Sequence, residues 1–197
     1  MHSNVRESYS WDESSNASLS SLTRGNFSDK SVDELKGIAA RANPATTHWQ
    51  EWETLRELSD GRMRDDRQDT ETRLDWARLA LTACQRKRES GEVDRVKILA
   101  DEAHIRVYAI RTFGPTKSDP MLDMFDLCAA VFREIGKTRE EVAAETADWK
   151  SLPPNRMLRL RYVKNLLTPL QALMDTMPED PMRQRLAAWL SLIPHLP

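Results

Sequence analysis

The sequence predicts an all-α protein, built of antiparallel helix hairpins packed as a bundle or a short α-solenoid. Three observations carry that expectation. Beyond residue 30, apolar residues recur at three- and four-residue spacing through most of the chain. No stretch shows the strict alternation, rich in Val, Ile and Thr, that a strand needs. Of the 6 glycines, Gly61, Gly91, Gly114 and Gly136 stand between amphipathic segments, where glycine ends a helix at low cost in a left-handed conformation. Gly25, in a polar tail, and Gly37, within a short helix, belong to no phosphate-cradling pattern.

Residues 1–30 hold nine serines and three asparagines with only scattered apolar residues. Such a composition buries too little surface to offset the entropy of ordering, so this segment is expected to be a disordered, dispensable tail ahead of one all-helical domain over 31–197.

The domain opens at Ser31-Val32-Asp33-Glu34, a capping box whose helix reaches about Ala42 and stops at Asn43-Pro44. A second box, Thr47-His48-Trp49-Gln50, starts a helix to about Ser59, and the mixed charges of 60–67 read as a linker. From about Gln68 to Glu89, Leu74, Ala77, Leu81 and Cys84 share a face. Val93 to Phe113 carries Val96, Ala100, Ala103, Val107 and Ile110 on one stripe, widened by Ile98, Leu99 and Ile105. This helix is therefore expected to be contacted on two sides.

Asp119-Pro120 reads as a helix start, with Leu122, Phe125, Ala129 and Phe132 inward and Gly136 as the stop. Thr138-Arg139-Glu140-Glu141 opens a helix to about Trp149. A long helix over 156–177 follows, with Leu160, Val163, Leu167, Leu170 and Met174 inward and an interruption expected near Leu166 from Pro169. Asp180-Pro181 caps a last helix with Met182, Leu186, Trp189 and Ile193 inward.

Gly91 and Gly136 lie one hairpin apart, a spacing in the range of helical repeats. Trp76, Leu79 and Ala80 resemble the opening of a tetratricopeptide-type repeat, although the helix is too long and the later Ala and Pro positions do not register. The fold expectation therefore includes TPR-like helix pairs without assigning a family.

Charge and composition narrow the function. With 30% charged residues and a formal net charge of -2, no global basic excess drives nucleic-acid binding, which would need a local patch. No apolar run approaches the roughly 20 residues that span a bilayer, and the N-terminus lacks the apolar core of a signal peptide. A cytoplasmic location is expected. The serine-rich tail also resembles that of bacterial effectors exported by needle-type secretion, which implies export without a cleaved signal peptide as the alternative.

His2, His48, His104 and His195 are scattered, and Cys84 and Cys128 form no CxxC pair, so neither metal nor cofactor is expected. No nucleophile sits in a GxSxG-type turn, and the sequence leans away from an enzyme.

Two clusters remain. Asp101, His104 and Tyr108 fall at i, i+3 and i+7 of one helix and mark a candidate groove or solvated face. Arg156, Arg159, Arg161 and Lys164 crowd the start of another, where the helix dipole disfavours cations by about 0.3–1 kcal/mol each. They are expected either to hold an anionic partner or to pair with Glu140, Glu141 and Glu145. The reading that follows is a protein-protein interaction or regulatory adaptor module presenting a groove between helix pairs, with an acidic peptide or helix as partner. The alternative is a nucleic-acid-binding regulator using the basic helix 156–164.

Overall fold

The protein is described by a computed structural model covering residues 19, 27–91, 94–114, 119, 124–177 and 179–197. Its helices are α1 (Val32–Arg41), α2 (Trp49–Met63), α3 (Thr70–Glu89), α4 (Arg95–Phe113), α5 (Met124–Ile135), α6 (Arg139–Ala147), α7 (Pro154–Gln171) and α8 (Pro181–Leu190). The described residues contain no strand, and the all-α expectation holds.

Local chemistry sets most helix ends. The boxes at Ser31 and Thr138 both close, with Glu34 and Glu141 returning to the cap amides. Asp69, Asp94 and Asp180 cap α3, α4 and α8 through their carboxylates, each satisfying amides that the helix leaves open. At Thr47 the sequence reading needs correction, because the cap is His48, whose Nδ1 accepts from the Gln50 amide at 3.3 Å. Helix α4 ends at Gly114 with φ +55°, a conformation that costs a residue with a Cβ about 1–2 kcal/mol.

Gly61 does not end its helix. The run of Leu55, Ser59 and Met63 at four-residue spacing is fully buried, and this continuity carries α2 through Gly61 to Met63. The interior value of the stripe outweighs the roughly 1 kcal/mol that glycine costs within a helix. Helix α7 stays helical through Pro169 and stops at Gln171, short of the expected 177; the chain then makes a single 3-10 turn over Met174–Thr176. On α5 the inward face is Met124, Leu127, Cys128, Val131, Phe132 and Ile135. Phe125, expected inward, is 37% exposed, because the inward Met124, Cys128 and Val131 each fall one residue before a position of the stripe read in the sequence. The start proposed at Asp119-Pro120 lies largely outside the described residues.

The helices enclose two apolar clusters. Helices α1 and α2 pack on α3, and α3 packs on α4, closing the first around Trp52, Leu55, Met63, Leu79 and Leu81. Helix α4 also packs on α5 and α7, and α7 on α8, closing the second around Leu127, Val131, Leu160, Leu167 and Trp189. Helix α4 belongs to both. Its Ile98, Ile105 and Ala109 enter the first cluster and its Leu99 and Ala103 the second, as its broad apolar stripe foretold.

Most of the expected disordered tail lies outside the described residues. Its described part is not idle, since Leu19 and Phe27 are 1% and 2% exposed within the first cluster, and Arg62 donates to the Ser28 carbonyl at 2.9 Å. Leu81→Ala is expected to cost about 2–5 kcal/mol and Phe27→Ala about 3–5 kcal/mol in denaturant unfolding. A chain cut at Asp29 should accordingly melt below the intact one, and equal melting temperatures would show that Phe27 adds nothing to the cluster.

Candidate functional site

The stripe Asp101, His104 and Tyr108 of α4 does not form one site. Asp101 turns toward α2, its Oδ2 lying 3.8 Å from Arg56 Nε. Tyr108 turns toward α3, where its hydroxyl accepts from Arg73 at 2.9 Å and its ring lies 4.4 Å beneath the Arg64 guanidinium. His104 between them is exposed. Arg111, at the end of the stripe, donates to the Ala172 carbonyl at 3.2 Å and closes the C-terminus of α7. The stripe thus seams α4 to its neighbours.

Behind it lies a charged layer that the sequence did not announce. Glu53 on α2 accepts from Lys87 at 2.7 Å and from Arg56 at 3.0 Å, with Lys97 at 3.5 Å. These partners, Arg56 first, hold the Glu53 carboxyl down at about 2 despite its burial. Lys87 is 4% exposed and sits 5.4 Å above the Trp49 ring. Deeper in, Arg88 Nε lies 2.9 Å from Glu102 Oε1, but the N–H does not point at the oxygen and neither atom gains a hydrogen bond. Burial raises the Glu102 and Asp101 carboxyls, only partly opposed by Arg88 and Arg56 respectively. It also raises the thiol of Cys84 well above its ordinary range, which leaves that cysteine without nucleophilic character.

The basic start of α7 divides in two. Arg159 donates to the Ile135 carbonyl at the end of α5, and Gly136 gives it room: a Cβ there would sit 3.3 Å from the guanidinium. Lys164 reaches the Leu196 and Pro197 carbonyls at 3.1 and 3.4 Å. Backbone carbonyls therefore replace the glutamates expected as partners. Glu141 serves its capping box, and Glu145 pairs with Lys137. Arg156 and Arg161 remain exposed without a protein partner among the described residues. Beside them, Leu158 and Tyr162 are 45% and 43% exposed, one helical turn apart.

A cleft of about 880 Å³ opens between α6 and the C-terminal turns and is lined by Arg139, Trp149, Lys150 and His195 among others. Much of its polar capacity is already engaged. Arg139 donates to the Ala188 carbonyl and to Ser191 Oγ, and Asp148 accepts from Ser151 at 2.6 Å. No group of three or more His, Cys, Asp or Glu arranged to hold a metal is found among the described residues, and no described helix is long and apolar enough to cross a membrane. Comparison with protein-family models, curated proteins and solved structures finds no match.

Two predictions follow from these partners. Glu53→Gln should destabilise the fold by about 3 kcal/mol, because it strands Lys87 and Arg56, whereas Glu102→Gln should be neutral or stabilising, since burial already opposes the charge there. Stability from Glu53 is fully present above its ordinary value of 4.5 and is lost as pH falls toward about 2. Wild type should therefore lose more stability than Glu53→Gln between pH 4.5 and 2, as read by acid titration of unfolding. Separately, Arg159→Gln should cost about 1 kcal/mol through the lost carbonyl contact, while Arg156→Gln should lie within about 0.5 kcal/mol of wild type; equal effects in a urea titration would refute this division.

Proposed function

We propose that the chain is a protein-recognition module, of adaptor or regulatory kind, that binds an acidic amphipathic segment of a partner on the outer face of α7. One observation supports this above the others: Leu158 and Tyr162 are exposed a turn apart, and Arg161, a turn on from Leu158, has no side-chain partner among the described residues, nor has the exposed Arg156 at the start of the helix. Helix α7 already buries Leu160, Val163 and Leu167 on its inner side, so these outer apolar residues have no part in the core. Exposed hydrophobic residues rimmed by unspent cations suit a partner helix with apolar anchors and carboxylate flanks. Tyrosine and arginine are also the side chains that most often dominate binding energy at such surfaces.

A duplex nucleic acid fits this face less well. Leu158 offers nothing to phosphates, and Arg159 and Lys164 are committed to carbonyls, which leaves few cations for a backbone contact.

The test uses a fluorescein-labelled acidic amphipathic helix, with Leu at i and i+4 and Glu elsewhere, read by anisotropy. Leu158→Ala with Tyr162→Ala should weaken binding by more than tenfold without lowering the melting temperature. Arg156→Gln with Arg161→Gln should weaken it less and flatten its dependence on salt. Unchanged binding in the first double variant, or stronger binding of a duplex DNA that depends on the two arginines, would overturn the reading.

A further inference from the structure

A second cleft, on the opposite side of α4 from the Glu53 layer, lies among the end of α3, the start of α4 and the end of α5. Its volume is about 450 Å³, and Arg88, Arg95 and Arg133 line it together with Gln85, Leu99 and Ala130. Each arginine comes from a different helix. Neither Arg95 nor Arg133 has an ion pair or hydrogen bond with another described residue. Arg88 is anchored from behind, its Nε beside the Glu102 carboxylate, which is 1% exposed. Its terminal nitrogens make no hydrogen bond with another described residue. Two carboxylates share the wall: Glu89 is drawn to Arg86 at 3.2 Å, and Glu134 pairs with none of the three arginines among the described residues.

Three guanidinium groups line one cavity and pair with neither of its two wall carboxylates among the described residues, and the planar fork of arginine matches a phosphate better than a point charge does. The cavity is larger than a phosphate ion needs and falls in the range of small-molecule sites. Ala130, partly exposed, supplies an apolar spot beside the charged one, with the core residue Leu99 beneath it.

We propose that this cleft binds a small phosphorylated metabolite through its phosphomonoester dianion. Arg95 and Arg133 grip the phosphate from the two rims, Arg88 meets it from within, and the body of the ligand rests against Ala130. Glu102 acts as a positioning residue that fixes Arg88. The site is independent of the α7 face, so either assignment can fail without the other.

Calorimetric titration of the full chain with inorganic phosphate and with phenyl phosphate tests this. Phenyl phosphate should bind more tightly than phosphate, through the apolar spot, and binding of both should strengthen as pH rises from 5 to 7 and the second proton leaves a group with a pKa of about 6. Arg95→Gln and Arg133→Gln should each weaken binding about tenfold or more, and both residues are exposed, so the variants should fold. Arg156→Gln with Arg161→Gln should leave binding unchanged. Absence of binding by both probes at millimolar concentration, equal affinity in the Arg95 and Arg133 variants, or loss of binding only in the α7 variant would overturn the proposal.

Discussion

The two apolar clusters are joined by the requirement that α4 be apolar toward both at once. Ile98, Ile105 and Ala109 look toward α2 and α3, and Leu99 and Ala103 toward α5 and α7. A helix buried on both sides has no face left for solvation except the narrow edges between, and those edges must carry its charges. This is why Asp101, Tyr108 and Arg111 reach sideways to Arg56, Arg73 and the Ala172 carbonyl. It is also why Glu102 and Arg106, at 1% and 2% exposure, are carried inward despite the desolvation that burial imposes.

The charged layer has a different character on its two sides. Glu53 gathers Arg56 and Lys87 with short, well-directed hydrogen bonds, and its carboxyl is held far down as a result. Glu102 has a cation equally near but no aligned donor, and its carboxyl is raised. At Glu53 aligned donors outweigh burial, whereas at Glu102 the deeper burial prevails with no aligned donor to offset it. The first side fastens α2 to α3. The second leaves a strained carboxylate behind the arginine cleft, where an anionic ligand would meet Arg88.

Periodicity alone made the helices legible, and capping chemistry made their starts legible at Ser31, Thr138 and Asp180. The apolar faces of α3, α7 and α8 were also correctly read, because each has one dominant stripe. Helix α5 was not: apolar residues cover so much of it, from Met124 to Ile135, that two registers fit the pattern, and only the packing partner chooses between them. The basic start of α7 was recognised as an anomaly, yet its acceptors were missed, since backbone carbonyls at the ends of α5 and of the chain have no signature in a sequence. Glu102 and Arg106 stood hidden for the converse reason, as an i, i+4 pair of opposite charge reads like a solvated helix face. Periodicity placed Leu160 and Val163 inward and left Leu158 and Tyr162 off the stripe, but it could not say that no other element covers them.

The two cysteines are divided between the halves of the molecule, Cys84 in the cluster of α1 to α4 and Cys128 in that of α4 to α8, both fully buried and not joined in a disulfide. Each thiol is shielded by its own set of side chains, and neither can react until that set parts. The chain therefore contains a matched pair of native reporters: the rate at which a thiol reagent modifies each cysteine measures how often its half opens. If α4 binds the halves into one cooperative unit, the two rates will coincide; if the halves breathe separately about it, the rates will differ, and their ratio will give the difference in local opening free energy directly.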